Sequence, residues 1–479
     1  MKTLHRLTAA LLTLIILISG TSGISVSGAP FVDSEIMTYA EDIAKTVKEF
    51  GTSYKFENGI NINDLRTVMS IVLNDNPRFF HLSAAYQYTY DRNRPEIALE
   101  LRLKYKMTPD EYAAASVEVQ TWVDKIVSLA DPSFTEFEYA LFFHDYIASN
   151  YEYDTAYNVR DVYSFIKTGV GVCQAYTYAY GLLLEAVGIE STFASSDEMN
   201  HIWNIVKLGG KWYHVDLTWD DPIGGAPGEA HHDFFLMSDD AIYSKDKKHY
   251  GWVSYCECDS VEYDAIPVAQ AQTSYAYLNG KWYYMADGDL YVTASPAEAG
   301  ELHMELDLRW YVWESTSYYT DVYSGLIAKD GMLIANTPEA VIAIDPATKT
   351  VAEVKSYTDG DGYIYGFILD MGDDKITGAD MSTGKIVLNI TKDPKYAGSK
   401  VTVSLGGDDS GEYAGKGDAN GDGKLNLSDV ACILKHIAKW TVDMNAESAD
   451  MDSNSVVNLS DVTAVMKLIA GWSVGTDGQ

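Results

Sequence analysis

The chain is poor in cysteine, in basic residues and in long apolar runs. Its four cysteines in 479 residues are too few for a disulfide scaffold. Only 35 Lys and Arg stand against 69 Asp and Glu, and the net charge of −34 excludes the basic surface that nucleic-acid binding requires. Beyond the N-terminus no apolar stretch is long enough to cross a bilayer, so we expect no membrane span.

The N-terminal residues 1–29 have the pattern of a signal peptide. Basic Lys2 and Arg6 precede an apolar run over 7–18, and small residues follow. No lipoprotein-type cysteine is present there, so we expect a secreted, extracellular protein. The remaining length predicts roughly three domains, and an apolar content of 47% is ample for their cores.

A cysteine opens a predicted helix in the middle of the chain. Cys173 follows Gly169 and Gly171, which permit a tight loop, and apolar residues then recur at helical spacing up to Gly188. A thiol at a helix N-terminus faces the positive end of the dipole and free N–H groups, which favour a thiolate and stabilise an oxyanion. Cys173 is therefore a candidate nucleophile.

A histidine and an aspartate lie on the next predicted hairpin. If Gly209 and Gly210 form a two-residue turn, paired residue numbers sum to 419 and His201 becomes the diagonal neighbour of Asp216. Diagonal neighbours are roughly 7–8 Å apart, within reach of an imidazole and a carboxylate. A turn one residue longer would put the two on opposite faces.

Each of these three residues also has an ordinary structural interpretation. A cysteine at a helix start is often a core residue, and a His beside a strand Asp is often only a hydrogen-bonded pair. Together they favour a nucleophile, Cys173, a base, His201, and a residue that orients the base, Asp216. That chemistry is acyl transfer through a thioester.

The sequence of this region, roughly 130–240, resembles the bacterial transglutaminase-like superfamily. The resemblance rests on GVCQAYTYAYGLLLEAVGI followed by HIWNIVKLGGKWYHVDLTWDDP. It implies a papain-like core in which Cys173, His201 and Asp216 carry the chemistry. The superfamily includes cross-linkers, peptidases and inactive members, so the reaction stays open. Gln174 and Tyr163 are candidates for the side chain of the oxyanion site.

The C-terminal region contains a repeat offset by 32 residues, NLSDVACILKHIAKW and NLSDVTAVMKLIAGW. Each copy follows an acidic loop whose oxygen ligands have the spacing of a calcium-binding loop. The ligand at loop position 7 is a backbone carbonyl oxygen. The first loop offers Asp418, Asn420, Asp422, Lys424, Asn426 and Asp429; the second offers Asp450, Asp452, Asn454, Val456, Asn458 and Asp461. Ser455 in the second loop occupies the position of the turn glycine, which is Gly423 in the first loop. The second loop therefore departs further from the calcium-loop pattern than the first.

These two loop–helix units resemble a type I-like dockerin. The resemblance implies two structural Ca²⁺ ions, a cohesin module of a scaffold protein as partner, and attachment to a cellulosome-like complex. The cohesin contacts that it implies are Leu427 and Ser428 in one half, Leu459 and Ser460 in the other. Because the two pairs are identical, we hypothesise that the module can bind a cohesin in two orientations related by a half-turn.

Other cysteines and histidines offer weaker possibilities. Cys432 is expected to be a small core residue. Cys256 and Cys258 with upstream His231, His232 and His249 suggest zinc, but two thiols on one face of a strand are favoured because no second Cys pair follows. For His144 and Asp145 we expect a packing role, since adjacent helical side chains point about 100° apart.

The predicted fold is α+β. Helices are expected over 33–80 and 108–150 with strands 84–90 and 96–105 between them, and a β-rich region, either a sandwich or a few propeller-like blades, follows the core. The predicted domains are a signal peptide (1–29), a leader (30–130), a catalytic core (131–265), a β-rich domain (266–405), a linker (406–416) and an all-α dockerin (417–475).

Three functions remain open at this point. The favoured one is a cysteine peptidase or amidase acting on protein amides without a catalytic cofactor; a glutamine cross-linking transglutaminase is the alternative within the same chemistry. A catalytically idle, dockerin-borne binding subunit is the alternative from another class. A carbohydrate hydrolase would need paired carboxylates, and no such pair is specific here.

Overall fold

The computed structural model describes most of the chain from residue 34 onward. The described ranges are 34–221, 223, 228–245, 249–254, 256–266, 268, 271, 273–306, 310–311, 318–319, 325–337, 339–356, 363–370, 385–391, 399–404, 416–421, 425, 427–439, 442 and 444–469. The predicted signal peptide, the linker except residue 416, and residues 470–475 of the predicted dockerin lie outside these ranges.

The N-terminal unit is a small α+β layer. It consists of helices α1 (Ser34–Lys48) and α2 (Ile62–Asn74) and strands β1 (Ser53–Asn61), β2 (Gln87–Asp91) and β3 (Arg94–Arg102), in the sheet order β1-β3-β2. Helices were predicted to dominate 33–80, and strand β1 within that range was not predicted. Its register shifts between Lys55 and Ile60, and Gly59 there has φ +75°. This bulge interrupts the strict alternation that marks a strand.

Two long helices lead from this unit to the core. Helices α3 (Pro109–Val127) and α4 (Glu136–Asn150) each begin with a complete capping box, formed by Thr108 with Glu111 and by Thr135 with Glu138. After α4, the short parallel strands β4 (Glu152–Tyr153) and β5 (Val170–Gly171) flank helix α5 (Val162–Thr168). They bring the chain to the start of the central helix.

The central helix packs on a five-stranded antiparallel sheet. Helix α6 (Cys173–Ala186) is followed by β6 (Ser191–Ser196), β7 (His201–Leu208), β8 (Lys211–Val215), β9 (Phe235–Met237), helix α7 (Asp239–Ser244) and β10 (Val253–Ser254), with the sheet order β10-β6-β7-β8-β9. The α6 side chains Tyr176, Tyr180 and Leu183 are fully buried in the main core. The helix is therefore held rigidly over the sheet.

A β-rich region follows, in sheets that run in sequence order. The first contains β11 (Ala276–Leu278), β12 (Lys281–Ala286), β13 (Asp289–Thr293) and β14 (Glu301–Met304), and β15 (Trp310–Tyr311) pairs with β16 (Tyr318–Tyr319). The second contains β17 (Leu326–Lys329), β18 (Met332–Asn336), β19 (Ala340–Asp345) and β20 (Thr350–Ser356); β21 (Tyr363–Asp370), β22 (Lys385–Thr391) and β23 (Ser399–Ser404) form a third. Four-stranded meanders in sequence order have the topology of propeller blades.

The C-terminal unit is a compact helical module. It comprises α8 (Leu427–Ile437), α9 (Ala446–Ala449) and α10 (Leu459–Ile469). Ile433 and Val465 are fully buried in its core. Cys432 is buried beside them, and its Sγ lies 3.6 Å from the carbonyl oxygen of Ala419, as expected for a small core residue.

Candidate active site

The loop before α6 delivers Cys173 to an uncapped helix end. A Cβ on Gly171 would lie 2.5 Å from the ring of Phe165 and 2.7 Å from Cβ of Ala175, so only glycine fits there. Val172 is the N-cap residue and supplies no side-chain cap. The Ala175 N–H donates to the Val172 carbonyl oxygen at 2.9 Å, whereas the N–H groups of Cys173 and Gln174 are available to a ligand, and the Cys173 side chain is partly exposed.

Hydrogen bonds tie this helix to the strand that carries His201. The Asn204 side-chain amide donates to the Thr177 carbonyl oxygen at 3.0 Å. The Thr177 hydroxyl lies 3.3 Å from the carbonyl oxygen of Ile202. Both contacts are buried, so they fix the height of α6 over β7 and hence the relative position of thiol and imidazole.

The hairpin has the predicted register. Leu208 pairs with Lys211 and Asn204 pairs with Val215, so the paired numbers sum to 419. Asp216 is the residue after β8, and its N–H donates to the carbonyl oxygen of Phe234 at 3.0 Å. The two-residue Gly-Gly turn therefore sets the face on which Asp216 emerges.

His201 lies between the thiol and the carboxylate. Its Nε2 is 2.6 Å from Oδ2 of Asp216, and the Cys173 side chain is close enough to influence the pKa of the imidazole. Burial opposes the cation, but Asp216 and then Cys173 outweigh burial and raise the pKa of His201 well above its ordinary value. The imidazole is therefore protonated at neutral pH, and a cation beside a thiol favours the thiolate.

The Asp216 carboxylate is fully buried and accepts four hydrogen bonds. Oδ1 accepts the N–H groups of Thr218 at 3.1 Å and Trp219 at 3.3 Å. Oδ2 accepts from Nε2 of His201 and from Nε2 of His249, the latter at 2.7 Å. Burial raises its pKa, but the two histidines outweigh burial, so the pKa lies below the ordinary value.

His249 was not predicted for this site. The sequence suggested it only as a zinc ligand, and it is 33 positions from Asp216 in a segment without periodic pattern. Aromatic residues in the same region, among them Trp219 and Phe234, were the one available sign of a buried ring. They predict burial but not a hydrogen-bond partner.

Both side chains considered for the oxyanion site are engaged elsewhere. The Gln174 amide nitrogen donates to Oδ1 of Asn74 at 3.1 Å and to the Tyr178 hydroxyl at 2.7 Å, which uses both of its N–H groups. The Tyr163 hydroxyl lies 3.5 Å from Oε1 of Glu118. The backbone N–H groups at the start of α6 are the oxyanion donors that the geometry offers.

A second buried His–Asp network lies outside the predicted triad. His144 Nδ1 is 2.9 Å from Oδ1 of Asp145, and its Nε2 is 3.1 Å from Oδ2 of Asp220. Asp145 Oδ1 is also 2.8 Å from Nε2 of His232. The argument that the two side chains point apart is wrong, because they hydrogen-bond to each other, and the preference for a structural role over a catalytic dyad stays a prediction.

The zinc possibility at Cys256 and Cys258 is not supported by the geometry. His231, His232 and His249 contact three different carboxylates. The preference for a strand is also wrong, because β10 ends at Ser254. Cys258 instead lies near His214 and Asp239.

The group formed by His214, Asp239 and Cys258 does not suit a metal either. Trp203 Nε1 donates to His214 Nδ1 at 2.9 Å, so the proton of a neutral His214 is on Nε2, which lies 2.8 Å from Asp239. Nε2 then has no lone pair for a metal. His214 is a structural hydrogen-bonding residue.

The second C-terminal loop is pre-shaped for a cation. Oxygen atoms of Asp450, Asp452 and Asp461 lie within 4.8 Å of one another. Ser455 adopts φ +68°, the left-handed conformation for which glycine is usual, so the serine keeps the turn. Asn454 and Ser455 N–H groups donate to Asp450. The residues present fit Ca²⁺.

The first loop is described only in part. Asn420 N–H donates to Oδ1 of Asp429 at 3.1 Å, and Asp418 is buried. Asp422, Lys424 and Asn426 lie outside the described residues. Of the predicted cohesin contacts, Leu459 is 63% exposed and Ser460 is exposed, whereas the side chains of residues 427–428 are not described.

Comparison with known proteins matches both regions. Residues 120–217 match the family model of the transglutaminase-like superfamily, and residues 416–470 match that of the dockerin type I domain. The chain carries a transglutaminase-like domain and a type I dockerin domain. Type I dockerins generally bind calcium, and the dockerin implies a cohesin partner. Dockerins occur in extracellular cellulosome components.

The relatives share only part of this chain. The kyphoscoliosis peptidase of Mus musculus is 23% identical over 188 residues, which cover 34% of this chain and 28% of the relative. A structure described as a TGase is 12% identical, with TM-score 0.21, over 35% of this chain and 50% of the other. A Cytophaga hutchinsonii protein described as a candidate cysteine protease is 19% identical, with TM-score 0.18, over 26% and 51%. Within the described residues, no helix has the length and apolarity to span a bilayer.

Proposed function

We propose that this protein is a cysteine acyl-transfer enzyme that cleaves protein amides through a thioester. The observation that carries the proposal is the His201 imidazole, whose Nε2 lies 2.6 Å from the buried Asp216 and whose pKa responds to the nearby Cys173 thiol. The transglutaminase-like domain supports the same chemistry.

The proposal gives each residue a role. The Cys173 thiolate attacks the amide carbonyl carbon, and the resulting oxyanion accepts hydrogen bonds from the N–H groups at the start of α6. The C–N bond then breaks as His201 gives its proton to the departing amine, which leaves a thioester on Cys173. Asp216 holds the imidazole in one orientation throughout and offsets its charge.

The second half-reaction decides the class of enzyme. If water is the acceptor, His201 takes a proton from it, the hydroxide attacks the thioester, and an acid and the free thiolate result. If a lysine amine is the acceptor, the product is a cross-link. We favour water, hence a peptidase or amidase, because the enzyme partners on a plant-degrading scaffold would make cell-wall protein a sensible substrate for cleavage.

The dockerin completes the proposal. Two calcium ions would be held by the loop oxygens and would supply structural rigidity to the module, without a part in catalysis. The module would attach the secreted enzyme to a cohesin of a cellulosome-like scaffold. Leu427, Ser428, Leu459 and Ser460 are the proposed cohesin contacts.

Mass spectrometry tests the reaction directly. A denatured protein is incubated with the full chain, calcium and a tagged primary amine, and Cys173→Ala is the control. New peptide termini that require Cys173 support the peptidase, whereas amine mass on glutamine residues supports a cross-linking transglutaminase. If Cys173→Ala behaves like the wild type in every respect, the catalytically idle binding subunit is favoured instead.

A further inference from the structure

Asp216 binds a second histidine, His249, in addition to His201. His249 is fully buried, and its backbone N–H donates to the carbonyl oxygen of Ile242 at 3.2 Å. Its Nε2 lies 2.7 Å from the same Oδ2 that binds His201. Because an ionised carboxylate only accepts hydrogen bonds, His249 carries its proton on Nε2 and donates it to Asp216.

The surroundings of His249 are suited to an apolar ring. Trp219 and Trp203 lie 4.3 Å and 4.6 Å from it between ring centroids, and Phe234 lies 5.3 Å away. Within the described residues, its buried Nδ1 has no hydrogen-bond partner. Burying an imidazole with one unsatisfied nitrogen costs free energy that a phenyl ring would not, so the bond to Asp216 must offset it.

That bond matters most when the site is charged. The reactive state holds a thiolate, an imidazolium and a carboxylate, and Asp216 is the member without any exposure to solvent. With fewer donors, a buried carboxylate takes up a proton more readily. Asp216 would then draw the Nε2 proton from His201, and the imidazolium beside the thiol would be lost.

We propose that His249 is a positioning residue that keeps Asp216 ionised and fixed while His201 carries the proton. The proposal rests on the proposed role of Cys173 and His201. Among the described residues, the titratable groups that face His249 are Asp216, His201 and His214. His249 therefore acts on Cys173 only through Asp216 and His201.

The test is the pH profile of Cys173 alkylation by iodoacetamide, read by peptide mass spectrometry on the full chain. His249→Phe keeps the ring but removes the donor, and His249→Gln restores an N–H near the Nε2 position. Because one hydrogen bond to a charged group is lost, we expect His249→Phe to alkylate about tenfold more slowly at pH 6. The acid limb of its profile should move up by about one pH unit, and His249→Gln should return towards the wild type.

His81→Phe is the matched control. His81 is also a buried imidazole among aromatic rings, but its neighbours include Phe50, Tyr105 and Tyr112, away from the active site. Thermal unfolding of every variant shows whether the fold is intact. His81→Phe should keep the wild-type alkylation profile.

The possible outcomes distinguish a failure of the proposed function from a failure of the role proposed for His249. If wild-type Cys173 is no more reactive than an ordinary thiol, the proposed function itself fails. If the wild type is reactive but His249→Phe keeps its acid limb, His249 is only structural and the positioning proposal is overturned, whatever happens to stability. An equal shift in His249→Gln and His249→Phe also overturns it, because the donor is then not the cause.

Discussion

Removing the charge of Asp145 should strongly destabilise the protein. This fully buried carboxylate accepts from His144 and His232, and its Oδ2 accepts the N–H of Tyr275 at 2.6 Å, from the segment that leads into the β-rich region. In Asp145→Asn the His144 imidazolium loses one of its two carboxylates. Breaking a buried ion pair from one side costs about 3–5 kcal/mol.

The same network gives the wild type a pH-dependent stability. Burial opposes the His144 cation, but Asp145 and Asp220 outweigh burial and raise its pKa to about 9. Since the unfolded value is about 6.5, the contribution is complete below pH 6.5 and is lost as pH rises through about 9.

Urea unfolding followed by tryptophan fluorescence measures both effects. Asp145→Asn should lower the free energy of unfolding at pH 7 by about 3–5 kcal/mol and flatten its decline between pH 6.5 and 9. Asp124→Asn on the exposed face of α3 is the control, with an expected change within about 0.5 kcal/mol. A loss below about 1 kcal/mol in Asp145→Asn, with the pH slope unchanged, would refute the buried ion-pair network.

Three further predictions concern other parts of the molecule. Gly171→Ala should destabilise the protein by about 1–3 kcal/mol and slow Cys173 alkylation, because its Cβ would overlap Phe165; urea unfolding and alkylation rates report this. Asp461→Ala should weaken calcium binding by isothermal titration calorimetry, since this carboxylate also accepts the Met451 N–H at 2.8 Å; unchanged affinity would contradict the loop assignment. Leu459→Asp alone should leave cohesin affinity nearly unchanged if the first half binds in the rotated orientation, and a large loss would exclude the two-orientation hypothesis.

Much of the site could be predicted because local rules determine it. The Gly209-Gly210 turn sets the register of β7 and β8, and hence the face on which Asp216 emerges. Helical periodicity and the preceding glycines located the start of α6 at Cys173. The calcium loops were predicted from the spacing of their oxygen-bearing residues alone.

The remaining features depend on contacts that sequence patterns do not encode. Strand β1 was missed because the bulge at Gly59 interrupts its alternation. His249 reaches Asp216 only through the path of the chain after β9, and no local pattern specifies that path. The His144–Asp145 contact depends on His232 and Asp220, which lie far along the sequence and draw both side chains together.

The alkylation rate of Cys173 at pH 6, in the wild type and in His201→Ala, tests the central claim most directly. The other cysteines provide an internal reference: burial raises the pKa of Cys256 to about 11, and Cys258 and Cys432 are buried. A thiolate maintained by His201 predicts that Cys173 reacts far faster than Cys256, and that His201→Ala abolishes the difference. Equal rates at Cys173 in the two proteins would contradict the proposed catalytic site.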